Sequence, residues 1–538
     1  MNSNNSVFLG LVVFALYIAV VLLVASWRNK VRPDGTDYYL SGRSLAWLPL
    51  LLTTAATNFS AFTVLGLSGA GYRMGYSFYP AMAFGTGFMA LGMYLVGVPL
   101  REEGARRSWI TPVDLMTDRF HSPILTKLYA ACLVGFTLPY LALQPIAAGL
   151  LLESGWGIPY RVGALSVAGL IAIYTAMGGL RSLTKTDSFH GILLVLLAGI
   201  AWFAALRTGG GFLAAHLAVA EASPSLFSRP GASGGLSPMA LAGYYLLWFL
   251  ADPIFPQLGQ RFLASRDRRS MEKMVTLYPI ITTVLFFLTI SVGVVGAVVI
   301  PGLGTAQSDK IWLLMAIKST GPVLSSILLL APLAALVSTM DSQLLTLASI
   351  VSRELKLPDR YRKAIVLAIA AVGSLIAMFP PSDILSFLNR TSFLGYAALA
   401  PAVFGALYSA RTGAFAGIVS IIAGEAAVIL SGMKILGIKG IPDIILVAAL
   451  SWGSWFLASR LKPGEKSAPI ARIGELLPWK WAVAFLSMPL LTLDFWNWGK
   501  APVLLLGFPV WVLRSAVLGL ALSVLFAVFF ASRKGKSD

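Results

Sequence analysis

The sequence predicts an all-α polytopic membrane protein built around two five-span halves, and three observations carry that expectation. Of 538 residues, 57% are hydrophobic and 12% charged, against about 45–50% and about 25% in an ordinary soluble chain. Mean hydropathy is +0.80. Apolar stretches of bilayer-spanning length recur along the chain, and two of them, five spans apart, are interrupted by polar residues or by proline.

A spanning helix needs roughly 20 mostly apolar residues. Fifteen stretches qualify: 6–27, 46–67, 75–99, 123–153, 158–177, 187–206, 237–260, 274–300, 322–352, 364–379, 384–408, 413–433, 441–459, 481–497 and 503–531. The stretch 481–497 is the least regular, with Pro489 inside it and Asp494, Trp496, Asn497 and Trp498 at its end; an interfacial placement there changes the count by one. The leader MNSNNS carries no positive charge and the apolar run after it is too long for a secretory signal, so the first stretch reads as a true span. The chain then divides into an N-terminal span and loop (1–45), a first five-span half (46–206), a second (237–408), and a C-terminal part (409–538) with four more spans and a basic tail.

The net charge of +18 has a topological pattern. Thirty of the 41 Lys and Arg fall in alternate segments on one side, nine on the other, and Arg390 and Arg514 lie within spans. Positive residues in short loops stay cytoplasmic, which puts the N-terminus outside, the C-terminus inside and the number of spans odd, in a plasma membrane. The same scatter over many loops excludes a nucleic-acid groove. There is no Walker sequence, His121, His190 and His216 are dispersed, and GASGG at Gly231–Gly235 lacks the flanking strand and helix that would make it a nucleophile elbow. Neither an enzyme nor an organic cofactor is expected. The single Cys132 reads as a small apolar residue.

Ionisable residues inside spans are expensive and mark candidate sites: Asp187, Asp252, Asp341, Arg390, Glu425 and Arg514. Structural pairing or snorkelling is expected for Glu425 and Arg514. Asp187 reads equally as a site residue or as an interfacial acid opening a helix. In the segment starting at Ala331, the residues Ala335, Ser338, Thr339, Asp341 and Ser342 repeat at i, i+3, i+4 and align small oxygen-bearing groups on one helix face. Hydroxyls, carbonyls and one carboxylate suit a hard monovalent cation, although the same stripe also suits helix packing. A second wall comes from Leu51 onward, where Thr53, Thr54, Thr57, Asn58, Ser60 and Thr63 make a span unusually polar. Pro253 and Pro256 should break the corresponding helix of the second half around Asp252. Two interrupted spans in matching places are the pattern of an inverted-repeat secondary transporter.

Several motifs occur in order: YYLSGRSL, ATNFSAFTVLGLSGAGYRMG, GGLRSLTKTDSFH, PQLGQRFLASRD and STMDSQLLTLASIVSREL. Over about residues 35 to 460 the chain thereby resembles the sodium/solute symporter family of proline, pantothenate, monocarboxylate, sialic acid and sodium/glucose transporters. The resemblance implies the LeuT-type fold, five-plus-five inverted repeats with one extra N-terminal helix and about four extra C-terminal ones. His190 stands where the family usually has Gln. By position, the resemblance implies a principal sodium site made of the backbone oxygens of Ala56, Phe59 and Ala335 and the hydroxyls of Ser338 and Thr339. A second ion position of some members maps to Asp187, Ser338, Asp341 and Ser342. Asp341 replaces a serine there, so a second sodium, a proton or an internal pairing all stay open.

The resemblance also implies a solute beside the two broken helices, with Thr63, Gln144, Trp248, Phe249 and Asp252 as candidate contacts. Thr63 stands where a galactose transporter carries a sugar-contacting glutamine, which favours a small organic acid or amino acid over a sugar. Asp252 would bind an ammonium group or pair with Arg390. Na⁺ is the expected coupling ion, imported with the solute by alternating access through a monomer in the bilayer. Proton coupling is the alternative. A channel would need a continuous polar pore, whereas the polar residues cluster mid-span; a sensor would need a signalling domain, whereas a basic loop and two spans follow residue 460.

Overall fold

The computed structural model describes residues 3–27, 35–380, 392–411, 413–465 and 468–534. The principal helices are α1 (Ser3–Ser26), α2 (Trp47–Asn58), α3 (Leu67–Met74), α4 (Tyr79–Arg106), α5 (Pro123–Trp156), α6 (Tyr160–Thr208), α7 (Phe212–Ala222), α8 (Pro238–Ala251) and α9 (Pro256–Ala264). They continue as α10 (Arg268–Val299), α11 (Leu330–Glu354), α12 (Arg362–Ala377), α13 (Leu394–Ala398), α14 (Ala400–Tyr408), α15 (Ala414–Gly432), α16 (Asp443–Leu461), α17 (Trp479–Leu493) and α18 (Val510–Lys534).

Each of the fifteen apolar stretches holds helix in its described residues. Among the described residues, nine helices are long and apolar enough to cross a bilayer, or ten when a bent pair counts as one span. The lower number has simple causes. The stretches 158–177 and 187–206 form one helical run, Tyr160–Thr208; α2, α12 and α17 are only 12, 16 and 15 residues long; and the described part of 384–408 holds only short helices.

The run in α6 turns at Gly179, whose φ of 59° and ψ of −175° suit glycine alone. A Cβ there would also sit 2.7 Å from the Tyr38 carbonyl oxygen. Glycine elsewhere brings backbones together, as small residues do in membranes. Gly71 of α3 lies against the backbone of Ile290, and Gly293 of α10 against that of Ser68, with no room for a Cβ at either. Ser68 Oγ donates across the same contact to Thr289 O at 3.0 Å.

Both predicted interruptions are present. α2 stops at Asn58, Phe59 leaves helical geometry, and a π turn over Phe62–Gly66 leads into α3. α8 passes through a 3₁₀ turn at Asp252–Ile254, and α9 restarts with Pro256 at its first position, where its missing N–H costs nothing. The axes on the two sides of that break differ by 56°. The two broken spans are joined at one end: Leu45 N donates to Ala264 O (3.2 Å), and Arg266 N donates to Leu45 O (2.9 Å). Arg43 adds bonds to Leu263 O (3.0 Å) and Trp109 O (2.6 Å).

Residues 207–236 and the C-terminal helices form a cap. His216 of α7 donates from Nδ1 to Phe212 O (2.6 Å), has its Nε2 3.0 Å from the Tyr76 hydroxyl and packs on Phe508. Asp494 joins Arg229 (2.6 Å) to Arg514 (2.8 Å), and Arg229 lies over the rings of Trp498 and Trp511. The expected pairing of Arg514 is thereby present. Glu425, expected to behave likewise, has no hydrogen-bond partner for either carboxyl oxygen among the described residues.

Two outcomes follow from this packing. Gly179→Ala should cost about 1–3 kcal/mol, read as earlier thermal unfolding of the purified protein. Burial holds the His216 imidazole below the ordinary histidine range. The unfolded chain therefore takes up that proton first, and stability, full above about pH 6.5, falls as pH drops through it. The loss in melting temperature between about pH 7.5 and about pH 5.5 should be smaller in His216→Gln.

Candidate ion and solute site

A helix broken at membrane depth frees amides and carbonyls that lipid cannot satisfy. At the α2 break the side chains of the neighbouring spans do so. Gln144 Oε1 accepts from Ala61 N (3.4 Å), and its Nε2 donates to Tyr140 O (3.0 Å). Ser60 Oγ accepts from Phe62 N (3.2 Å). From α11, Thr339 Oγ1 lies 3.2 Å from Thr57 O and 3.4 Å from Phe59 O. Two backbone oxygens and a hydroxyl thus face one another across α2 and α11. Ala56 and Ala335 are buried on the same two helices, Ala335 one turn before Ser338 and Thr339.

Ser338 turns toward α6, where its hydroxyl donates to Asp187 Oδ1 at 2.7 Å. Asp187 is not the interfacial acid that its position beside a basic loop allows: it is fully buried, in the interior of α6. Its other oxygen accepts from Thr53 (2.5 Å) and from Arg261 Nη2 (2.9 Å). Arg261 corrects the sequence reading. It counts there as an inner-loop charge because the span is drawn to 260, whereas α9 continues to Ala264 and carries the guanidinium to 0% exposure. Arg261 also donates to Thr53 Oγ1 (3.0 Å), to Gln257 O (3.1 Å) and to Ser342 Oγ. Ser342 meets Thr57 Oγ1 at 3.1 Å. Asp341 accepts from Tyr174 (2.5 Å) and from Ser342 (3.1 Å). The second-ion residues Asp187, Asp341 and Ser342 are therefore gathered in one cluster, with Arg261 at its centre.

On the other side of the break, Asn58 Nδ2 donates to Tyr278 (2.8 Å) and to Asp252 Oδ2 (3.4 Å). Asp252 is buried, and among the described residues its Oδ1 has no hydrogen-bond partner. Arg390, its alternative partner, lies outside the described residues. Thr63 is buried in the π turn. Rings of Tyr140, Phe255, Phe393 and Tyr396 pack together beside these residues. Trp248 and Phe249 both pack against α4, and the Trp248 ring also meets Phe393 edge-on. The Trp248 indole N–H donates to Ala81 O (3.0 Å), and the Phe249 ring packs at a tilt against Phe88 of α4. Tyr140, Tyr278 and Phe255 escaped the sequence reading because an aromatic residue in an apolar span carries no signal of its own.

The model of the family described as "Sodium:solute symporter family" matches residues 38–424. The chain belongs to the sodium:solute symporter family. Among curated relatives, the sodium/pantothenate symporter of Escherichia coli (strain K12) is 26% identical over 455 residues, covering 81% of this chain and 94% of that protein. The osmoregulated proline transporter OpuE of Bacillus subtilis (strain 168) is 28% identical over 436 residues, covering 77% and 87%. Among solved structures, a Na⁺-coupled sialic acid symporter in a substrate-bound outward-open state superposes with a TM-score of 0.72 at 17% identity, over 86% of this chain and 99% of that one. The fold is thus the LeuT-type architecture of the symporter family.

The structure gives the family motifs physical work. YYLSGRSL supplies Arg43, which ties the ends of the broken spans. GGLRSLTKTDSFH supplies the Gly179 turn, Asp187 and the Arg181–Asp37 pair (2.7 Å). PQLGQRFLASRD supplies Arg261 and Asp267, whose carboxylate caps α10 through Ser270 N (2.7 Å).

Removing one partner of a buried ion pair strands the other, typically at about 3–5 kcal/mol. Arg261→Gln should show that loss in thermal stability. Asp187→Asn in the same chain should recover part of it, a coupling readable in a double-mutant cycle.

Proposed function

We propose that this symporter couples Na⁺ entry to import of a small organic solute across the plasma membrane by alternating access. One observation carries the reading: Thr339 of α11 faces the freed Thr57 and Phe59 carbonyl oxygens at the α2 break. Na⁺ would take the backbone oxygens of Ala56, Phe59 and Ala335 and the hydroxyls of Ser338 and Thr339. An ion held there joins α2 to α11 and stabilises the arrangement in which the solute cavity exists. Ion and solute then raise one another's affinity reciprocally, by about 1–3 kcal/mol. The uneven distribution of Lys and Arg supports an outer N-terminus and an inner C-terminus.

The solute reading is an amino acid or small organic acid. Relatives are named for proline and pantothenate. Asp252, with one oxygen unpartnered among the described residues, suits an ammonium group, and the rings around Phe393 suit an apolar body of a few carbons. Proline has both parts, whereas pantothenate would meet Asp252 only through hydroxyl or amide hydrogens. Thr63 and Gln144 lie at the α2 break.

Ser338→Ala with Thr339→Ala should abolish sodium-stimulated uptake into proteoliposomes while the protein still purifies folded. Unchanged sodium dependence overturns the site. A thermal-shift screen of proline, pantothenate, other small carboxylates and sugars, with NaCl or choline chloride, should give sodium-dependent stabilisation by an amino acid or acid and none by a sugar.

A further inference from the structure

α10 and α18 meet where Gly519 lies against Thr283 with no room for a Cβ. Between that contact and the basic ends of the two helices, a groove of about 460 Å³ opens, with Trp47 of α2 on its third side. Its floor is apolar: Leu277 from α10, and Ala527, Phe530 and Ala531 from α18. The same faces continue along both helices as exposed apolar side chains. Ile280 and Val284 follow Leu277 at helical spacing, and Leu520 and Val524 precede Ala527 likewise. Such faces on spanning helices meet acyl chains, so the groove opens to lipid.

The mouth of the groove is cationic. Arg269 and Lys273, one turn apart on α10, both line it and are exposed. Among the described residues neither forms an ion pair, whereas Arg266 holds Asp267 (2.8 Å) and Arg268 holds Glu272 (2.9 Å). Glu272, the acid at the groove, is therefore already matched, and Thr276 beside it donates its hydroxyl to Glu272 O (2.7 Å). Lys273 lies over the Trp47 ring, with Nζ 5.3 Å from the centroid, which holds the ammonium at the mouth. Tryptophan favours the interface between headgroups and hydrocarbon, and an arginine fork matches phosphate oxygens.

We infer that this groove is a binding site for an anionic phospholipid, its phosphate on Arg269 and Lys273 and an acyl chain along Leu277 and Ala527. Charge complementarity selects the headgroup. Two uncompensated cations attract a lipid of net negative charge, whereas a phosphocholine lipid brings a cation of its own against them. A water-soluble phosphate would satisfy the mouth and leave the apolar floor bare. On the orientation proposed above the groove opens in the cytoplasmic leaflet, which carries anionic lipid; the headgroup chemistry does not depend on that orientation. A lipid seated there touches α2, α10 and α18 at once.

Native mass spectrometry of the full-length protein, delipidated in detergent and titrated with dioleoyl phosphatidylglycerol or dioleoyl phosphatidylcholine, tests the site. Wild type should retain phosphatidylglycerol in preference. Arg269→Gln with Lys273→Gln should weaken that retention about 30-fold, and Arg460→Gln, which removes an exposed arginine of α16, should leave it unchanged. Glycerol 3-phosphate should not displace the lipid. Equal retention of the two lipids by wild type, or unchanged retention in the double variant, overturns the site. An equal loss in Arg460→Gln marks general charge attraction and overturns it too, and displacement by glycerol 3-phosphate makes the mouth a soluble-anion site instead. Should the double variant fail to fold, Ala527→Trp, which fills the groove and keeps both charges, should lower phosphatidylglycerol retention; unchanged retention there overturns the proposal.

Discussion

Backbone freed inside a membrane must find partners within the protein, and the architecture around α2 follows from that constraint. Once Phe59 and Ser60 leave the helix, their neighbours need side chains brought from elsewhere. Gln144 comes from α5, Thr339 from α11, and Ser60 bonds to the amide of Phe62. These are the helices that a five-plus-five arrangement sets around its centre. The π turn at Phe62–Gly66 then re-enters regular helix without a further chain of donors. The polar residues that make this span look unsuited to lipid are what allow it to be irregular there.

The charged cluster obeys a related rule in another form. Arg261 reaches two helices, α6 and α11, and meets α2 through Thr53, so one guanidinium holds three spans in register. Buried ion pairs of this kind specify geometry more than they stabilise it, because desolvation takes back much of the Coulombic gain.

Much of this was legible in the sequence, and the gaps have physical causes. Prolines 253 and 256 and the hydroxyl run from Thr53 to Thr63 announce the two breaks, because missing donors and excess oxygens are local facts. The i, i+3, i+4 spacing of Ser338, Asp341 and Ser342 puts them on one face, but it says nothing of which neighbour each meets. Ser338 turns to Asp187, and Thr339 alone reaches the α2 carbonyls. Arg261 was misread as a loop charge, since an arginine at the end of an apolar run looks like a topology marker until the helix is seen to continue. Trp248 and Phe249, adjacent in sequence to the break, pack against α4, while the aromatic wall beside Asp252 joins the nearby Phe255 to Tyr140, Phe393 and Tyr396, which lie more than a hundred positions away in the chain.

The α3–α10 contact limits how this molecule can move. With Gly71 and Gly293 pressed against bare backbone and Ser68 bonded to Thr289, the two helices interlock like the teeth of a closed zip. Sliding one past the other would require separating them first. Any rearrangement that exposes the centre to alternate sides of the membrane must therefore carry α3 and α10 together as one body, and take up its bending in the short non-helical stretch between Asn58 and Phe62.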